Sequence, residues 1–245
     1  MRIFYRILRW AVALFFLSTV AAVLCYKWLP VRLTPLMVIR CVEHVGNGER
    51  PRLKHQWVPL TEMSKYMPVA VIASEDQKFL LHNGFDTEAI GQAVQERAKG
   101  GRRRGGSTIS QQTAKNVFLW PASSWLRKGF EVYFTFLIET LWSKQRIMEV
   151  YLNSIEMGNG IYGADAVAEY HFSKTAKDLS RAECALVAAT LPNPRKMDSA
   201  HPTPYLRKRR SAIEHEMRFI PTFPKEGEDI NPDSAAGGVY HRKRQ

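Results

Sequence analysis

Cysteine is scarce in this chain: Cys25, Cys41 and Cys184 form no CxxC pair and no zinc-type spacing. That scarcity argues against a disulfide scaffold and a cysteine-built metal site, and makes buried free thiols the expected state. Acidic residues are also few, with 23 Asp and Glu against 35 Lys and Arg, giving a formal net charge of +12. Such an excess predicts an anionic partner (nucleic acid, membrane surface or phosphorylated substrate), set against the plainer reading of a solvated basic surface. An internal repeat, a nucleic-acid recognition module and the Gly-Lys-Ser/Thr step of a P-loop are all missing. Convincing strand patterns are few. Hydrophobic residues make up 45% of the 245, enough for a packed core and incompatible with wholesale disorder.

The first feature that is present lies near the N-terminus. Residues 10–29 are nearly all apolar, broken by Ser18, Thr19 and Lys27. Twenty helical residues at 1.5 Å each match a hydrocarbon core of about 30 Å. Arg2, Arg6 and Arg9 precede the run and suit a cytoplasmic N-terminus, although Lys27, Arg32 and Arg40 follow closely on the other side. A cleaved leader competes, with Val20-Ala21-Ala22 as its small-residue site. The continuation through Val23, Leu24, Tyr26, Trp28 and Leu29 favours an uncleaved anchor. Pro30 and Pro35 then suggest an extended linker over residues 30–54.

Beyond it the pattern is mainly helical. Helices are expected over 68–79, from 107 or 108 onward through 116, over 125–142, 144–155, 180–190 and 205–219. Pro68 suits a first turn, Ser107 or Thr108 a cap, and Ser180 with Glu183 a capping box. A Gly- and Arg-rich stretch over 99–106 reads as a basic loop, the glycines at 158, 160 and 163 as a turn region, and residues 220–245 as a loose basic tail. The expected organisation is a cytoplasmic segment 1–9, an anchor 10–29, a linker 30–54, a catalytic domain 55–219 and the tail.

Three clusters could carry chemistry. Glu75-Asp76 ends an apolar helix, followed by Phe79 and His82-Asn83-Gly84; a carboxylate pair beside apolar residues is a place where one pKa can rise toward general-base use. Alone, an exposed acidic helix end explains it as well. Residues 105–116 lead glycines into a helix whose first turn carries hydroxyls, an anion-binding geometry, with Lys115 two turns on. Capping accounts for Ser107 and Thr108, but not for Gln111, Gln112, Lys115 and Asn116. Finally, Arg127 and Glu131 share a helix face with Lys128, amid Val132, Phe134, Phe136, Leu137 and Ile138. A surface ion pair is the plain reading; the apolar surroundings point to a partly buried charged cluster.

Taken in order, EDQKFLLHNGFD (75–86), GGSTISQQTAKN (105–116), RKGFE (127–131), EVYLNSIEMGNGIYG (149–163) and ALVAATLPNP (185–194) resemble the family 51 glycosyltransferases. The likeness runs from about residue 55 to 219, and an anchor plus one domain without a penicillin-binding module resembles the family's monofunctional branch. The resemblance implies a lysozyme-like helical domain with a smaller membrane-facing lobe, plus one N-terminal transmembrane helix. It implies polymerisation of lipid II into β-1,4-linked glycan strands, in the periplasm and from the inner membrane, with release of undecaprenyl diphosphate. It makes Glu75 the catalytic base and Glu131 a second acid, assisting at the diphosphate or orienting its basic neighbours. Asp76, Phe79, His82, Ser107, Thr108, Gln112, Lys115, Arg127 and Lys128 become substrate-site positions. No tightly bound cofactor, metal site or nucleic acid is expected; a divalent cation enters only with the substrate diphosphate. Lipid II, the growing strand, the inner membrane and other cell-wall or division proteins are the implied partners.

The chain departs from the family pattern at Ser110 (usually Thr), Thr113 (commonly apolar) and Ser123 (often Arg). The last removes one phosphate contact unless Arg102–Arg104 replaces it. A lysozyme-like hydrolase or lytic transglycosylase would share the fold but needs no diphosphate cluster or lipid-side anchor. A catalytically dead scaffold is disfavoured by intact Glu75 and Glu131.

Overall fold

Apolar residues with arginines in front of them form the longest helix of the computed structural model, which describes residues 1–88, 91 and 106–235. Residues 99–105 of the basic loop, with Arg102–Arg104, and the basic tail residues 241–244 lie outside the described residues. Helix α1 spans Arg2–Trp28, starting earlier than the apolar run because arginine is itself a good helix former. Its most apolar 18-residue window has a mean hydropathy of 2.1, so the helix is long and apolar enough, by length and composition, to cross a membrane.

Its second half is docked. Thr19 and Tyr133 share a hydroxyl hydrogen bond of 2.8 Å, and Phe15 and Phe16 lie against the rings of Phe130 and Tyr133. Trp142 Nε1 donates to the Val23 carbonyl at 2.8 Å. The last carbonyls of a helix lack intrahelical partners. Here Arg146 reaches back to the carbonyls of Tyr26 (2.7 Å) and Leu29 (2.5 Å), placing a cation where the helix dipole favours one.

The expected extended linker is instead a helix over much of its length. Helix α2 spans Pro35–Gly46, with the Thr34 side chain accepting from the Met37 N–H. Proline at the first helical position costs no hydrogen bond and presets φ, so Pro35 starts this helix rather than breaking the chain. A short parallel pairing follows: β1 (Lys54–His55) lies beside β3 (Ile161–Tyr162), which pairs antiparallel with β2 (Glu156–Gly158). The turn region around the three glycines therefore supplies the middle strand and one edge of a small sheet ordered β1-β3-β2. Asn153 fixes it to the core, since its side-chain amide accepts from Val58 N–H at 3.0 Å and donates to Val58 C=O at 2.9 Å. Gly163 is obligatory, because its φ is +87° and a Cβ would stand 2.8 Å from the Asn153 carbonyl oxygen.

The helical core is built on α3 (Tyr66–Glu75), buried almost all round from Met67 to Ala73. It packs on α8 (Arg181–Thr190) and α9 (Pro204–Glu216). The second layer holds α4 (Ile109–Phe118), α5 (Trp125–Leu141) and α6 (Lys144–Ser154), with α7 (Ala164–Phe172) beside the sheet. The capping box at Ser180 and Glu183 forms as expected, and a second one joins Thr108 to Gln111. The start of the expected loose tail is packed: Ile220 and Ala235 are buried and Phe223 stacks on Phe79. The three cysteines are free, and Cys184 is buried with its thiol pushed up to about 12 by that burial. The fold is mainly α, as expected for a lysozyme-like helical domain with one apolar N-terminal helix.

Candidate active site

Helix α3 stops at Glu75, four residues short of the expected end, because Asp76 is used elsewhere. The Asp76 carboxylate accepts from the Ile109 N–H at 2.9 Å and from His82 Nε2 at 2.9 and 3.0 Å. It thereby satisfies a free N–H at the start of α4, where the dipole also favours a negative charge. Gly84 completes this joint: its φ is +89°, its carbonyl accepts from Thr108 Oγ1 at 2.7 Å, and a Cβ would come within 2.9 Å of Thr135 and Glu139 side chains. Lys144 ties the other side, donating to the His82 carbonyl at 2.6 Å and to Glu139 at 2.8 Å, with its ammonium over the Phe79 ring.

This joint sets α4 against α3, and with it Gln112 against Glu75. Glu75 is half-buried; one oxygen accepts from Ser74 Oγ at 3.0 Å, the other from Gln112 Nε2 at 3.2 Å. Gln112 is oriented by Tyr151, whose hydroxyl donates to its Oε1 at 3.1 Å. Burial, then the negative charges of Glu75 and Asp76, hold the Tyr151 phenol well above its usual pKa, so it remains a neutral donor.

Gln112 also lines a cavity of about 430 Å³. Lys115 and Asn116 of α4, Arg127 and Ser123 at the start of α5, Arg40 and Leu36 of α2, and Glu156 border the same space. Glu131 sits behind the basic side, 2% exposed, with one oxygen on Arg127 at 2.5 Å and the other on Lys128. Lys115 has its pKa lowered, first by burial and then by Arg127, Lys128 and Arg40, while Glu131 opposes the fall. The Glu75 carboxylate is thus one glutamine away from a cavity bordered by Lys115, Arg127 and Arg40. That arrangement suits transfer of a group from an anionic leaving group to a hydroxyl.

The expected site residues divide accordingly. Gln112, Lys115 and Arg127 border the cavity, with Glu75 joined through Gln112 and Lys128 held by Glu131. Ser107 is half-buried, its carbonyl facing Gln112 Nε2 at 3.4 Å, and Thr108 is the buried cap of α4. Phe79 is fully buried, Asp76 is 6% exposed, and His82 is held by Asp76 at 2.9 Å, so these three sit behind the cavity wall and not on it. Tyr151, Arg40 and Glu156 were not singled out from sequence. Tyr151 and Glu156 lie inside a quoted motif, and the Thr34-Pro35 cap signal is what could have put Arg40 on a helix.

Residues 43–218 match the profile of the family described as Transglycosylase. The chain is 59% identical over 222 residues to a biosynthetic peptidoglycan transglycosylase of Bacteroides thetaiotaomicron, covering 89% of this chain and 90% of the relative. Proteins of the same name from Bdellovibrio bacteriovorus and Caulobacter vibrioides are 48% and 52% identical, covering 88% and 79% of this chain and 85% and 82% of theirs. The profile takes in α3 to α9 and therefore the joint, the carboxylate and the cavity lining apart from Leu36 and Arg40. This chain belongs to the transglycosylase family, as a glycosyltransferase of peptidoglycan synthesis.

Proposed function

We propose that the enzyme polymerises lipid II into β-1,4-linked glycan strands by a single inverting displacement, with Glu75 as general base. Glu75 takes the proton of the acceptor 4-hydroxyl while that oxygen bonds to the donor's anomeric carbon. The bond from that carbon to the phosphate oxygen breaks, and undecaprenyl diphosphate leaves with the electron pair. An α-linked donor giving a β-linked product requires one inversion and no covalent sugar-enzyme intermediate.

Lys115, Arg127 and Lys128 neutralise the charge growing on the diphosphate, which counts for most in a water-poor site. Glu131 acts on them rather than on substrate: buried and doubly paired, it is a positioning residue that keeps Arg127 in place and opposes the lowering of the Lys115 pKa. Any divalent cation joins as a companion of the diphosphate. The apolar α1, with exposed Trp125, Leu126 and Phe136 on α5, supports anchoring in the inner membrane beside a lipid substrate, with the catalytic domain in the periplasm. Other cell-wall or division proteins remain proposed partners on the family resemblance alone.

The observation that carries the reading is the Gln112 hydrogen bond to Glu75, which couples the carboxylate to the basic cavity. The test is incubation of detergent-solubilised protein with labelled lipid II, products resolved by size, beside Glu75→Gln. Long lysozyme-sensitive strands are expected from the wild type alone, with lipid II binding largely kept by the variant. Strands from neither protein, both folded and both binding lipid II, would point to an inactive scaffold.

A further inference from the structure

Arg40 stands on α2, an element the chemistry above does not use, yet it borders the same cavity as Lys115 and Arg127. Its guanidinium is incompletely paired. Nη1 meets Glu43 at 2.5 Å, and Glu43 is 40% exposed at its side chain; Nε stands 4.0 Å from Glu156 Oε2. That separation gives electrostatic attraction and is too long for a hydrogen bond. Buried Nε accordingly has no hydrogen-bond partner among the described residues. A buried donor without a partner is costly, and the rest of the side chain, 21% exposed, is what Arg40 can offer to the cavity.

Two further observations bear on what Arg40 meets there. Glu156 accepts from the Gly160 N–H at 3.2 Å and lines the cavity, so it holds the guanidinium at the wall without capping it. Residues 29–34 alone separate α2 from α1 along the chain, and α2 packs on α4, the helix that carries Lys115. Arg40 is also one of the charges that lower the Lys115 pKa, which means that the two cations share one field. Guanidinium is the group best shaped to take two phosphoryl oxygens at once.

We infer that Arg40 is a further diphosphate-binding residue, presenting its guanidinium to phosphoryl oxygens from α2 while Lys115 and Arg127 hold them from α4 and α5. The inference rests on the proposed lipid II reaction. The competing role is structural: Arg40 would serve only as the counter-charge of Glu156.

The experiment measures KM and kcat for strand formation with full-length, detergent-solubilised wild type, Arg40→Gln, Arg40→Lys, Glu156→Gln and the Arg40→Gln/Glu156→Gln double variant, with a melting curve for each. Arg40→Gln is expected to raise KM about tenfold, the scale of one charge-assisted hydrogen bond. The same factor should separate Glu156→Gln from the double variant. A wild-type KM in Arg40→Gln, or an effect that vanishes in the Glu156→Gln background, overturns the inference in favour of the counter-charge. Where Arg40→Gln does not fold, Arg40→Lys decides: it keeps the charge and loses the planar edge, so a raised KM upholds the inference and a wild-type KM overturns it. A wild type that makes no strands removes the lipid II reading and the inference together, whereas a polymerising wild type beside a normal Arg40→Gln removes the inference alone.

Discussion

Neutralising Glu131 should damage the enzyme twice, once in stability and once in its pH profile. In Glu131→Gln the side chain keeps its shape and one acceptor oxygen but loses its charge. The two partners do not count equally. Lys128 is 40% exposed at its side chain, so solvent screens its pairing and little stability is at stake there. Arg127 is 13% exposed and Glu131 3%, and breaking so buried a pair costs about 3–5 kcal/mol when one partner is deleted outright. The retained acceptor recovers part of this, leaving a loss of about 2–3 kcal/mol, or roughly 5–10 °C in melting temperature for a domain of this size. Lys115 supplies the second effect. Burial, Arg127, Lys128 and Arg40 all lower its pKa, and Glu131 is the charge that opposes them. Binding a diphosphate needs the protonated lysine, so activity falls as pH rises through the Lys115 pKa. With Glu131 neutral that pKa drops further, and the alkaline fall in kcat/KM must begin at a lower pH than in the wild type. Thermal melting monitored by circular dichroism and strand formation measured across pH read the two effects separately. An unmoved alkaline limb with an unmoved melting temperature would refute the positioning role.

Lys115→Ala should raise KM and lower kcat together, by about 100-fold in kcat/KM, if its charge meets the diphosphate before and during bond cleavage as proposed; steady-state kinetics on lipid II reads this. Tyr151→Phe removes the hydroxyl that fixes Gln112, so kcat should fall about tenfold with a near-normal KM in the same assay. Asp76→Ala strands the Ile109 N–H and His82 in a buried joint and should cost about 2–4 kcal/mol in urea unfolding, a loss under 1 kcal/mol being incompatible with the geometry.

Local chemistry explains which parts of this architecture could be read from residues alone. Ser180 with Glu183, and the apolar spacing of α5 and α6, are signals contained within a few positions, and their helices formed close to the expected bounds. Pro35 misled because the same residue that breaks a helix interior is well suited to a first turn, and only Thr34 ahead of it tells the two apart. The early end of α3 was invisible because the partner that draws Asp76 away, the Ile109 N–H, lies 33 residues on. The sheet escaped for the same reason: β1 has two residues, and its partner is more than a hundred positions away. At the site, motif and residue type pick out Gln112, Lys115 and Arg127, which the fold brings to one cavity. Tyr151 meets Gln112, and Arg40 meets the cavity, through contacts that only the packed chain creates.

The seat of α1 on the rest of the molecule has a mechanical consequence. With Trp142 holding the Val23 carbonyl and Arg146 clasping those of Tyr26 and Leu29, no slack is left between this helix and the layer that carries Glu131 and Arg127. In a bilayer such a helix would behave as a lever and not as a tether. A change in its tilt, from lipid thickness or a neighbouring helix, would be delivered to α5 and α6 as a torque instead of being absorbed in a floppy stalk.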